Sequence, residues 1–178
     1  SCKKMLEHTP NVEVVTEEVL KAMSDAQTPQ GVLAVVRQYD YTMADLKNSS
    51  GPSLLMILET IQDPGNLGTI LRAGEGAGVT GVIMDRDSVD VYNPKVIRST
   101  MGSIYRVPFF YTDDLTETLR ALKSEGIRLF AAHLDGKRDY DQEDYTADVG
   151  FLIGNESRGL SRETSALADG LIRIPMAG

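Results

Sequence analysis

Two glycine-containing loops, about ninety residues apart, carry side chains whose types can do chemistry together. The first is Asp63-Pro64-Gly65-Asn66-Leu67-Gly68-Thr69-Ile70-Leu71-Arg72, and the second is Gly154-Asn155-Glu156-Ser157-Arg158-Gly159-Leu160. Together they offer an amide (Asn66), a guanidinium (Arg72) and a carboxylate (Glu156) on backbone that glycine leaves open to close approach. Each loop follows a short apolar run, at 54–58 and 150–153, and each precedes a helical pattern. In an open α/β sheet, ligands bind at the carboxyl ends of strands, so the two loops are expected to form one site. Glu156 is read there as a ligand anchor, a base or a brace for Arg72. Singly, each residue has a plainer reading: Asn66 as a helix N-cap, Arg72 as a surface arginine, Glu156 as a solvated turn residue.

The elements that must position these loops follow from periodicity. Strands are predicted at 54–59, 81–84, 106–111, 128–132, 150–153 and 171–174, and helices near 66–76, 93–102, 115–125 and 161–168. Repeated strand–helix alternation implies an α/β fold, a mostly parallel sheet with helices on both faces. Asn93 followed by Pro94 is a favoured helix start, Asp113 and Asp114 are cap candidates for the third helix, and Gly126 sits where a terminating glycine belongs. Before this alternation, Thr16 starts a short helix to Met23, Thr28-Pro29-Gln30-Gly31 is a turn, and 32–36 reads as a strand. The polar stretch 40–52 has the composition of a linker.

Gly76-Ala77-Gly78-Val79-Thr80-Gly81 fits the spacing of a dinucleotide-binding loop, which would suggest a nicotinamide-dependent enzyme. The context is reversed, however: a helix runs into these glycines and a strand leaves them, so they are expected to end the helix and turn the chain. Composition narrows the rest. A net charge of −8 argues against a protein that coats nucleic acid nonspecifically. The charge is uneven, with six acids and two bases between Asp135 and Asp148, while Arg72, Lys95, Arg98, Arg106, Arg158 and Arg162 lie in or between the two loops. A local basic surface on an acidic protein is one reading of this pattern, and ordinary solvated surface charge is the other, the plainer one for any single residue. Cys2, His8 and His133 are the only cysteine and histidines, which speaks against a zinc site. No metal and no membrane partner are expected, and a reducing cytoplasm fits the cysteine usage.

Both loops resemble motifs of the SpoU (TrmH-like) RNA 2′-O-ribose methyltransferases of the SPOUT superfamily. The first loop resembles that family's first motif and the second its second motif. Leu171-Ile172-Arg173-Ile174-Pro175-Met176-Ala177-Gly178 resembles the start of the third, and Thr28-Pro29-Gln30-Gly31-Val32 resembles the end of a substrate-recognition domain. The resemblance implies a C-terminal trefoil knot, an exception to unknotted topology. It implies S-adenosylmethionine as methyl donor, ribosomal or transfer RNA as partner, and a homodimer. It implies Asn66, Arg72 and Glu156 as catalytic residues, with Arg72 activating the ribose 2′-hydroxyl. His133, Leu134, Gly154, Asn155, Leu160, Ile174 and Met176 would line the donor pocket. Domains are expected at 1–38 (the end of the RNA-recognition domain), 39–53 (linker) and 54–178 (catalytic). The third motif breaks off at Gly178, so an incomplete pocket and weak donor binding are expected of this chain, and a non-methylating RNA-binding SPOUT protein is the alternative.

Overall fold

The computed structural model describes residues 11–175. The chain divides into two compact units, Ser1–Tyr39 and Asp40–Gly178. In the first, helix α1 (Glu17–Met23) starts as the sequence implies: the Thr16 hydroxyl accepts the Val19 N–H at 3.4 Å, and Lys21 pairs with Glu17 at 2.8 Å. The predicted strand at 32–36 does not form, and Val35 stays 94% exposed. Apolar residues alone do not make a strand; the backbone N–H and C=O groups need a neighbouring strand.

The second unit is built on a seven-stranded sheet, every pairing in it parallel. Its strands are β1 (Leu54–Leu58), β2 (Gly81–Asp85), β3 (Phe109–Thr112), β4 (Arg128–Ala132), β5 (Arg138–Asp139), β6 (Val149–Ile153) and β7 (Gly170–Arg173), in spatial order β3-β2-β1-β6-β4-β7-β5. Its α-helices are α2 (Pro64–Gly76), α3 (Pro94–Ser99), α4 (Leu115–Ser124) and α5 (Arg162–Leu167). Alternate residues of β1 serve two cores. Met56 and Leu58 face α2 and α3 with Leu67, Leu71, Val82, Met84 and Val96. Leu55 and Ile57 face α4 with Ile83, Leu119, Leu122 and Leu152. Burial on both faces is why these strands read as continuous apolar runs rather than alternating ones.

Several boundaries differ from expectation for local reasons. The second helix ends at Ser99 because Met101 and Gly102 adopt positive φ, 51° and 93°. A 3-10 turn at Ser103–Tyr105 then delays β3 to Phe109 rather than 106. Asp114, not Asp113, caps α4, and Gly126 terminates it at φ 90°. The stretch read as linker holds a 3-10 turn, Met43–Leu46, whose Leu46 is completely buried. A Cβ on Gly81 would lie 2.5 Å from Leu46 Cβ, so that glycine makes room for protein rather than ligand. The whole Gly76–Gly81 pattern is structural: α2 ends there, with Gly78 at φ 79° and the Val79 N–H bonded to the Gly74 carbonyl at 2.9 Å. No dinucleotide loop exists at this position.

Gly68 sits where α2 crosses α3. A Cβ there would lie 1.7 Å from Ser99 Oγ and 2.9 Å from the Val96 carbonyl oxygen. Glycine to alanine in an open helix gains about 1 kcal/mol, but overpacking costs about 1–3 kcal/mol or more. Gly68→Ala is therefore expected to lower the denaturation midpoint, and an unchanged midpoint would mean that the two helices part without cost. Nearby, Glu75 joins α2 to the turn after α3: its carboxylate accepts from Arg106 and from Ser103 Oγ at 2.5 Å. Those hydrogen bonds, Arg106 first, pull its pKa from 4.5 to about 2. A carboxylate depressed on folding stabilises fully above its unfolded value and loses that contribution as pH falls. Glu75→Gln should thus flatten the acid limb of the stability curve between pH 4.5 and about 2, measured by urea unfolding across that range.

Candidate active site

β1 and β6 are hydrogen-bonded neighbours in register, Leu58 opposite Ile153, so the loops that leave their carboxyl ends start side by side. The first loop turns through Asp63, whose Oδ1 accepts the Asn66 N–H at 2.7 Å; Asp63, not Asn66, is the N-cap of α2. This correction matters, because it frees the Asn66 side chain. Asn66 Nδ2 donates to Glu156 Oε1 at 3.2 Å, and the Asp63 N–H reaches the same oxygen at 3.3 Å. Partial burial pushes the Glu156 pKa up, but donors from its own backbone, Asn66, Asp63 and Gln62 outweigh it, and the net shift is downward. Glu156 therefore braces Asn66 and the first loop.

The second loop is a closed turn. Asn155 and Gly159 exchange backbone hydrogen bonds at 3.1 and 2.8 Å, with Gly159 at φ 69°. Asn155 Oδ1 accepts the N–H groups of Ser157 (3.0 Å) and Arg158 (3.1 Å), and its Nδ2 donates to the Thr60 carbonyl at 2.8 Å. Gly154 lies under this turn. A Cβ there would stand 2.2 Å from the Gly159 carbonyl carbon and 2.3 Å from Leu160 N. Ser161 caps α5 through the Thr164 N–H at 3.1 Å, and Glu59 clamps that start, accepting from Ser161 N and Thr164 Oγ1 at 2.7 Å each. Sequence reasoning passed over Glu59; its only local signal is an acid at the end of an apolar run.

Arg72 stands apart. It is exposed on α2, and among the described residues its side chain makes no hydrogen bond or ion pair. The same holds for the side chains of Lys95, Arg98, Arg158 and Arg162, whereas that of Arg106 is committed to Glu75. The acids of 135–148 are partly consumed at home: Asp139 accepts from Arg173 at 2.6 Å, and Glu143 from Arg138 at 2.9 Å. Tyr145 from that segment packs edge-on against Phe130, ring centres 5.0 Å apart.

The remaining candidates lie at the same sheet edge, after β4 and β7. The His133 N–H donates to the Ile172 carbonyl at 2.9 Å, and its Nδ1 accepts the Asp135 N–H at 3.1 Å. Gly136 approaches the Ile172 backbone so closely that a Cβ would lie 2.6 Å from its carbonyl carbon. Leu134 is 100% exposed and Ile174 62% exposed, while Leu160 packs against the α4-side core. Met176 lies outside the described residues. Among the described residues, no group of side chains could hold a metal ion, and no helix is long and apolar enough to cross a membrane.

A family model described as the SpoU rRNA methylase family matches residues 53–178, and one described as RNA 2′-O ribose methyltransferase substrate binding matches residues 2–42. A TrmH-family tRNA/rRNA methyltransferase of Staphylococcus aureus is 31% identical over 98% of this chain and 74% of its own length. The 23S rRNA (guanosine-2′-O-)-methyltransferase RlmB of Xanthomonas axonopodis pv. citri is 35% identical over 73% of this chain and 52% of its own. Among solved structures, the SpoU methyltransferase AviRb of Streptomyces viridochromogenes, in complex with AdoMet, superposes with a TM-score of 0.87 at 27% identity, covering 99% of this chain and 69% of that one. An AdoMet-bound rRNA methyltransferase from Sinorhizobium meliloti gives a TM-score of 0.83 at 32% identity, covering 92% of this chain and 62% of that one. One family model runs through every strand of the sheet, and the Staphylococcus relative runs through nearly the whole sequence; this chain belongs to the SpoU rRNA methylase family.

Proposed function

We propose that this chain transfers a methyl group from S-adenosylmethionine to a ribose 2′-hydroxyl of ribosomal or transfer RNA. The observation that carries the reading is the 3.2 Å bond from Asn66 to Glu156, which joins the two loops at the ends of adjacent strands. The residues at this edge suit the donor. Leu134 and Ile174 are large apolar side chains left exposed beside each other's strands, a surface for the faces of a purine. His133, Leu134, Gly154, Asn155, Leu160 and Ile174 would hold it, and the family resemblance adds Met176. When bound, S-adenosylmethionine supplies a methyl group on a positively charged sulfonium.

The chain's own part is alignment and care of the departing proton. Holding reactants in line contributes about 7–11 kcal/mol in favourable cases. Arg72 holds an RNA phosphate and steadies the negative charge that grows on the 2′-oxygen. It does not act as the base, since arginine keeps its proton. Glu156, with its pKa drawn down by its donors, is a poor proton acceptor near neutrality, which favours its bracing role over a role as base. In this reading, 1–38 ends an RNA-recognition domain, 39–53 links it to the catalytic domain, 54–178, and the catalytic domain carries a trefoil knot, pairs as a homodimer and works in the cytoplasm. Calorimetric titration separates the readings. S-adenosylmethionine should bind measurably more tightly than NAD; the reverse order would overturn the assignment. A protein that retains RNA but transfers no labelled methyl group would instead be the non-methylating relative.

A further inference from the structure

Thr60, the second residue after β1, holds a left-handed backbone at φ 56°. A β-branched residue rarely adopts that conformation, and it persists only where its surroundings impose it. Here the imposing group is Asp85, at the carboxyl end of β2. Its carboxylate accepts the Thr60 N–H at 2.8 and 3.0 Å and the Thr60 hydroxyl at 2.9 Å. It is itself anchored by Ser88, through N–H at 3.0 Å and Oγ at 2.6 Å, and Ser88 Oγ also accepts the Ile61 N–H at 3.0 Å. Twisted this way, the Thr60 carbonyl receives Asn155 Nδ2 at 2.8 Å, and Asn155 Oδ1 in turn holds the Ser157 and Arg158 N–H groups.

The geometry points to Asp85 as a positioning residue that sets the second-motif loop from two strands away, by holding Thr60 in its strained conformation. The relay runs Asp85, Thr60, Asn155, then the turn 155–159, crossing from β2 over β1 to β6. None of these contacts touches a reacting atom, so Asp85 acts only through the loop. The inference deepens the methyltransferase reading, but its structural part stands independently of that reading.

The test is a rescue. Asp85→Ala should let Thr60 relax, loosening the turn, with S-adenosylmethionine affinity and turnover each falling by roughly tenfold, the scale of releasing one such strained residue. Glycine adopts this φ without help. Thr60→Gly alone should therefore stay near wild type, and Asp85→Ala/Thr60→Gly should recover most of the loss. Hydrogen exchange at the Ser157 and Arg158 amides reads the loop directly: faster in Asp85→Ala, slowed again in the double variant. Wild-type exchange in Asp85→Ala, or a double variant no better than the single, overturns the inference. If the wild-type chain neither binds the donor nor transfers methyl, the functional reading falls, and the exchange pattern still decides the relay.

Discussion

Replacing Arg72 with alanine is expected to lower the methyl-transfer rate by at least ~100-fold, the scale of losing one transition-state donor. S-adenosylmethionine affinity should be little changed. The expectation rests on what Arg72 lacks. It is exposed and has no partner among the described residues, so the fold spends nothing on it and should survive its removal. It also shares α2 with Asn66, which the Glu156 bond fixes to the second loop, so the helix presents Arg72 from a held base. Arg72→Lys should rescue little, because an ammonium lacks the planar fork that grips phosphate at two points. Single-turnover rates beside donor titrations make the check. Near-wild-type turnover in the alanine variant would leave Arg72 no catalytic part.

The second large effect is at Gly154. For a glycine lining the donor pocket, as the resemblance implies, the collision expected of an added side chain is with the donor. The structure relocates the collision: the added Cβ meets the backbone of Gly159 and Leu160 at 2.2–2.5 Å, within the chain itself. Backbone cannot swing aside as a side-chain tip can, so even Gly154→Ala should open the turn. We expect a stability loss of about 1–3 kcal/mol or more, together with loss of donor binding. The two effects should appear together, measured by urea unfolding and calorimetry on the same preparation. A variant that folds with wild-type stability yet loses the donor would put the collision back on the ligand.

Much of the fold was legible because the signals were local. Helices α2 to α5 each follow a strand-like apolar run and a capping residue, and the two loops could be placed at strand ends from order alone. Even the Asp63 cap was readable, since Asp63 precedes Pro64 as Asn93 precedes Pro94, the same start pattern. β5 was not legible: two charged residues paired to the edge of β7 leave no periodicity to find. Leu46 was hidden because a single buried side chain in a polar stretch does not change its composition. Within the site, the convergence of the two loops was legible, but the partner was not: Glu156 reads from sequence as a ligand anchor, a base or a brace for Arg72, and it braces Asn66 instead. Nor were the supports legible. Glu59 reaches Ser161 and Thr164 across more than a hundred residues, and Asp85 reaches Thr60 across 25; such partners are chosen by sheet order, and one sequence does not reveal which acid meets which hydroxyl.

The most direct measurement follows the methyl group itself. RNA from cells lacking the gene is incubated with the purified chain and trideuteromethyl-labelled S-adenosylmethionine, then digested to nucleosides and analysed by mass spectrometry. The account predicts label on the ribose of a 2′-O-methylnucleoside, in a linkage that resists alkaline cleavage, and its disappearance with Arg72→Ala. Label on a base, or RNA that is bound but never labelled under conditions where the donor binds, would contradict it.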